Sequence, residues 1–155
     1  GLASHIAWLR TIKEKIEYKG MKDVDIEFPV IDDVSMKVSH LYGMILPNES
    51  DTKAVRAVFF IDPKGIIRSI IYYPLALGRN FDEIKRVLTG LQTIDNFSVA
   101  LPADWRPGDD VIVPSPATME GAEERVETKD KDFTSYDWFF TTRKIPKEEI
   151  MSKLG

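Results

Sequence analysis

No cysteine occurs among the 155 residues of this chain. That excludes thiol chemistry performed by the chain itself, a disulfide framework and cysteine-ligated metal sites. Histidine is scarce as well. His5 and His40 lie far apart and form no zinc-type spacing, so no metal and no cofactor is expected. No apolar run approaches the ~20 residues of a membrane span, so no membrane association is expected. The densest run, Ala57 to Ile61, reads as a strand. A positive excess is also missing. The formal net charge is −4, which offers no broad footprint for nucleic acid. The start, Gly1 to Ile6, has no basic segment, no signal-type cleavage site and no initiator Met. The expected compartment is the cytoplasm.

What is present is ordinary for a soluble globular chain: 43% apolar and 30% charged residues. The spacing of Ile6, Leu9, Ile12 and Ile16 predicts a helix over residues 4–19, with Ser4 as N-cap and Gly20 as terminator. Phe28 to Asp32 reads as extended. Asp32 or Asp33 then caps a helical turn with Val34, Val38 and Leu41 on one side, and Gly43 closes it. Ala54 to Ile61 reads as a strand buried on both faces. Asp62-Pro63-Lys64-Gly65 fits a type I turn into a return strand over Ile66 to Tyr73. Asn80 with Glu83 three residues on is a capping-box pattern, opening a helix to Ile94.

After Phe97 the texture changes. Pro102, Pro107, Pro114 and Pro116 suggest an irregular arm, with a short helix over Thr118 to Val126, an aromatic strand over Tyr136 to Thr142 and a last helix from Pro146. The expected division is residues 1–96 and residues 97–155. A helix at the very start is unusual for an α/β domain, which hints at a missing front end.

Two arginines are candidates for chemistry. Arg56 begins an otherwise apolar strand, where an unpaired guanidinium is costly to bury. It either faces an anionic partner or sits at the strand edge with its head in solvent. Arg79 follows Gly78 at a strand-to-helix junction, a place from which a guanidinium can reach across the end of a sheet. Read alone, it is better taken as an exposed loop residue.

These segments, taken in order, resemble a known family. Ser4-His5-Ile6-Ala7-Trp8, Phe28 to Asp33, Val55 to Arg68 and Tyr72 to Asn80 look like consecutive blocks of a peroxiredoxin. Pro102 to Pro114 and Tyr136 to Phe140 look like the long C-terminal domain of its one-cysteine subfamily, archaeal type. The resemblance implies an α/β, thioredoxin-like fold followed by a C-terminal dimerisation arm. It implies peroxide as substrate, an external thiol reductant, and a homodimer or ring of dimers. In that family a cysteine within Pro-x-x-x-Thr-x-x-Cys, at the first turn of a helix, attacks the peroxide and becomes a sulfenic acid. By resemblance, Arg56 is the guanidinium beside the sulfur, and Arg79 is the second arginine, which orients it and helps hold peroxide.

The cysteine, threonine and proline have no counterpart here, because their block precedes the Ser-His-Ile helix in the family. The expectation is a chain lacking the first strands and nucleophile helix, about seventy to eighty residues of an ordinary domain. Its site would then be a half-site of two guanidiniums. Pro114 to Gly121 repeats the Pro-x-x-x-Thr spacing with Gly121 in place of cysteine, but it lies among the wrong elements. Ser135 and Thr141 stand where some relatives carry extra cysteines, which favours one-cysteine chemistry. Trp105, Trp138, Phe139 and Phe140 are either ordinary core or interface anchors; the resemblance favours the interface. Two rival readings remain: a non-catalytic dimerisation or binding module of the same fold, and an arginine-based anion site, which no glycine-rich loop supports.

Overall fold

The computed structural model describes residues 1–127 and 132–154. It is mixed α/β, and its contacts divide it into two units: Gly1–Ala57 with Tyr72–Leu77, and Val58–Ile71 with Gly78–Gly155.

In the first unit, helix α1 spans Leu2–Lys15. It starts earlier than Ser4 because its cap comes from elsewhere: the Asp32 carboxylate accepts the Leu2 N–H at 3.0 Å. It also stops short of Gly20, since Ile16 is already extended. Gly20 instead takes a positive φ of 79° in a turn where Tyr18 and Met21 exchange backbone hydrogen bonds. The Phe28 to Asp32 segment is extended but joins no sheet. Helix α2, Lys37–Leu41, starts later than expected: its N-cap is Met36, at φ 57°, and the Asp33 carboxylate, three residues before that cap, accepts from the Val38 and Ser39 N–H groups. The Ser39 hydroxyl, also donating at 2.7 Å, is the chief cause of a lowered Asp33 pKa. Gly43, at φ 62°, closes α2 in a Schellman motif: its N–H reaches His40 O and the Met44 N–H reaches Ser39 O. Val34 and Leu41 do not face inward; they are 75% and 82% exposed.

Strands β1, Arg56–Ile61, and β2, Ile67–Tyr73, form a two-stranded sheet. The turn is as expected. Gly65 N–H donates to Asp62 O, and the Asp62 carboxylate accepts from Lys64 and Ile66 N–H. Burial on both faces is not found. Within β1 only Phe60 is buried, and Ile61 is 49% exposed.

In the second unit, helix α3 spans Phe81–Phe97. The Asn80 side chain accepts from Asp82 and Glu83 N–H at 3.0 and 3.2 Å. The reciprocal half of the capping box is absent, because the Glu83 carboxylate binds Arg86 Nε and Nη2 instead. Asn80→Ala should therefore cost about 1 kcal/mol, read as a lowered unfolding midpoint.

The irregular arm expected after Phe97 is in fact a small folded layer. Strands β3 (Asp110–Val113), β4 (Phe133–Asp137) and β5 (Phe140–Lys144) make an antiparallel sheet in the order β3-β5-β4. Val111 pairs with Arg143 and Ser135 with Thr141. The aromatic stretch expected as one strand turns at Trp138 and Phe139. Helix α4, Met119–Glu127, packs on β4, and helix α5, Lys147–Ser152, closes the layer. The core is Val99, Trp105, Val111, Ile145 and Ile150, with Phe97, Leu101 and Leu154 packed against it. Trp105 is 1% exposed, and its indole N–H reaches Asp109 O at 3.3 Å. Trp105 thus takes the core role among the two expected for it, and it is unavailable as an interface anchor.

Candidate active site

Arg56 opens β1 and is exposed, so no buried unpaired charge arises. Its partner is not a carboxylate. Arg56 Nε donates to the Leu75 carbonyl at 2.8 Å. Leu75 sits in the turn that follows β2, where Leu77 N–H closes onto Pro74 O. The Glu49 carboxylate accepts from the Leu75 N–H at 3.4 Å. The Tyr72 hydroxyl, at the end of β2, donates to Tyr42 O at 3.0 Å. Residues 42, 49, 56, 72 and 75 all belong to the first unit.

The chemical consequence lies in which nitrogen is used. A guanidinium has five N–H donors in a rigid fork. Holding it through Nε fixes the plane of the group, while both Nη nitrogens make no hydrogen bond to a described residue. Such an arginine can present paired donors to an anion or to a developing negative charge.

Arg79 lies in the second unit, exposed, just before the Asn80 cap of α3. Its side chain makes no hydrogen bond or ion pair among the described residues. Ser135 and Thr141 face each other across β4 and β5 with hydroxyl oxygens 3.0 Å apart. Among the described residues no cluster of His, Asp or Glu could hold a metal ion, and no helix is long and apolar enough to cross a membrane. Thr118, which gives the second Pro-x-x-x-Thr its threonine, accepts the Gly121 N–H at 3.2 Å. Its role is to cap α4, which explains that spacing without catalysis.

Sequence reasoning missed a second arginine device. In the second unit, Arg68 of β2 grips Asp95 of α3 through both Nη groups at 2.8 and 2.9 Å, with Asp62 at 3.6 Å. These hydrogen bonds hold the Asp95 carboxyl below its ordinary value of 3.8 and raise Arg68. A carboxylate lowered by folding stabilises the fold above that ordinary value and loses the contribution as pH falls through the lowered one. Asp95→Asn should therefore flatten the acid side of a stability-versus-pH curve and leave the neutral side with a modest, pH-independent loss.

A model described as the AhpC/TSA family matches residues 2–70, and one described as the C-terminal domain of 1-Cys peroxiredoxin matches residues 90–129. A peroxiredoxin of Methanosarcina mazei is 52% identical over 91% of this chain and 64% of its own length. The chain belongs to the peroxiredoxin family. A peroxiredoxin of Thermotoga maritima is 49% identical over 92% of this chain and 64% of its own length. Among solved structures, a yeast mitochondrial 1-Cys peroxiredoxin matches with a TM-score of 0.72 and 34% identity, over 92% of this chain and 66% of its own. A cysteine-to-serine mutant of peroxiredoxin 6 from Arenicola marina gives 0.72 and 29%, over the same shares of each chain. The thioredoxin-like fold class of the family is thereby that of this chain. The chain spans just under two thirds of the length of the curated relatives it matches.

Proposed function

We propose that this chain is the rear part of a thiol-dependent peroxidase that reduces hydrogen peroxide and organic hydroperoxides, with the attacking cysteine outside these residues. The observation that carries the reading is Arg56: a family-matched guanidinium fixed through Nε by Leu75 O, with neither Nη group hydrogen-bonded to a described residue. Peroxide reduction by a thiolate needs such a group. The sulfur attacks one peroxide oxygen, the O–O bond breaks, and negative charge develops on the departing oxygen, which takes a proton and leaves as water or alcohol. Arg56 lowers the thiol pKa and stabilises that departing charge. The family resemblance assigns Arg79 a part in the same reaction. The sulfenic acid is returned to thiol by two equivalents of an external thiol reductant, which leave as a disulfide, with loss of water.

Packing supports a covering segment. Among large apolar residues of the first unit only Val55 is buried, while Leu2, Ile6, Trp8, Phe28, Ile31 and Leu41 are at least half exposed. Apolar surface on that scale normally meets other protein. More than a third of each relative's length lies outside the match, enough to supply it. The rival reading, a non-catalytic binding module, would cover that surface with a partner but leaves the Arg56 arrangement unexplained.

In the same reading, residues 1–96 are the rear of the thioredoxin-like domain and residues 97–155 the dimerisation arm. The match of the 1-Cys C-terminal model to residues 90–129 supports this division and a one-cysteine cycle. Trp138, Phe139 and Phe140, at 45%, 56% and 37% exposure, are the anchors for a homodimer or ring of dimers. The cytoplasm is the proposed compartment. The test is the intact mass and thiol count of the native product. One added segment of about 8 kDa, the size of a ~75-residue partial domain, bearing one thiol is expected. A native product of this mass with no thiol overturns the reading.

A further inference from the structure

An apolar cleft of about 580 Å³ lies in the second unit between the start of α4 and the β4–β5 turn. Pro116, Met119, Ala122 and Trp138 line it, with Glu123 and Glu127 among its acidic residues. Met119 is 77% exposed, more than any other methionine: Met21 is 56% and Met151 45% exposed, and Met36 and Met44 are half-buried. It lines this cleft together with the indole of Trp138, which is itself 45% exposed.

We infer that Met119 is a peroxide-sensitive modification site, whose oxidation to the sulfoxide makes the Trp138 cleft polar. The thioether sulfur donates a lone pair to one peroxide oxygen. The O–O bond breaks, an S–O bond forms, sulfur is oxidised by two electrons, and the peroxide leaves as water or alcohol after proton transfer. A flexible apolar side chain becomes a polar one, which disfavours dry apolar contact at the cleft. The acidic residues beside the cleft take no part in this step, so pH near neutrality should not alter it. The inference rests on the peroxidase reading only for the natural source of oxidant. The reaction needs no catalytic cysteine, so its failure and that of the peroxidase reading are separable.

The test adds hydrogen peroxide in graded amounts to the purified native protein with its thiol blocked. Peptide mapping follows the gain of one oxygen at each methionine, and the emission of Trp138 is isolated as the difference from Trp138→Phe. Met119 should be oxidised first, several-fold faster than Met36 and Met44. Trp138 emission should shift to the red in step, with no shift in Met119→Leu. Oxidation of Met36 or Met44 ahead of Met119 overturns the inference. So does oxidation of Met119 with Trp138 emission unchanged, or the same red shift in Met119→Leu.

Discussion

Replacing Arg56 by Ala in the intact protein should lower the rate of peroxide consumption by at least about ten-fold, since removing one preorganised donor from a developing oxyanion typically costs 10²–10³-fold. Two effects act together. The thiol loses a neighbouring cation, so less of it is thiolate at neutral pH. The departing oxygen also loses paired donors. The two separate by pH: raising the pH restores the thiolate but not the donors, so the variant should recover only part of its rate. Arg56→Lys keeps charge and loses the fork. It should fall between the parent and Ala. A lysine has no second nitrogen with which to bind Leu75 O, so its ammonium would not be held in place as the guanidinium is. An Arg56→Ala protein with parental rates at all pH values would show that the strand-edge position is incidental.

The second large effect concerns stability. Trp105→Ala should destabilise the second unit by about 3–5 kcal/mol, the usual range for emptying a large aromatic site in a core. Trp105 is 1% exposed and belongs with Val99, Val111, Ile145 and Ile150, which join the segment after α3 to β3 and α5. Its indole N–H also satisfies Asp109 O. The midpoint of thermal unfolding should fall on the order of 10 °C for a chain of this size. Trp138→Ala removes a side chain 45% exposed and should lower the midpoint much less, through lost subunit contact rather than an emptied core. The pair of variants separates a core tryptophan from a surface one. Equal effects would contradict the packing described.

The contrast between those tryptophans shows what a linear sequence conceals. Trp105 lies in a proline-flanked stretch, Pro102 to Pro107, and Trp138 in an aromatic one, Tyr136 to Phe140, and neither pattern says which indole is buried. Their difference arises from β3 pairing with β5, a contact between residues about thirty positions apart. The strands of that sheet are four or five residues long, too short for period-two alternation to stand out. Local signals fared better. Asn80, the Asp62 to Gly65 turn and the Gly43 terminator act within a few residues of themselves, and each was legible. The start of α1 was not, because its cap, Asp32, sits thirty residues downstream.

The site follows the same division. Arg56 stands out in an apolar run because charge is rare there. Its anchor, Leu75 O, is a backbone acceptor, and a backbone acceptor leaves no mark on residue type. The Arg68–Asp95 clamp was hidden for a related reason. Its partners lie on different elements, twenty-seven residues apart. The roles proposed for Arg56 and Arg79 come from the family resemblance; spacing alone left Arg56 open between an anionic partner and a strand edge, and favoured an exposed loop for Arg79.

The most direct test of the central claim is peroxide consumption measured side by side on the intact native protein and on this 155-residue chain, each with an excess of small-molecule thiol. The intact protein should turn over hydrogen peroxide and the chain alone should not exceed the reductant's background. Turnover by the chain alone, or none by the intact protein, would contradict the account.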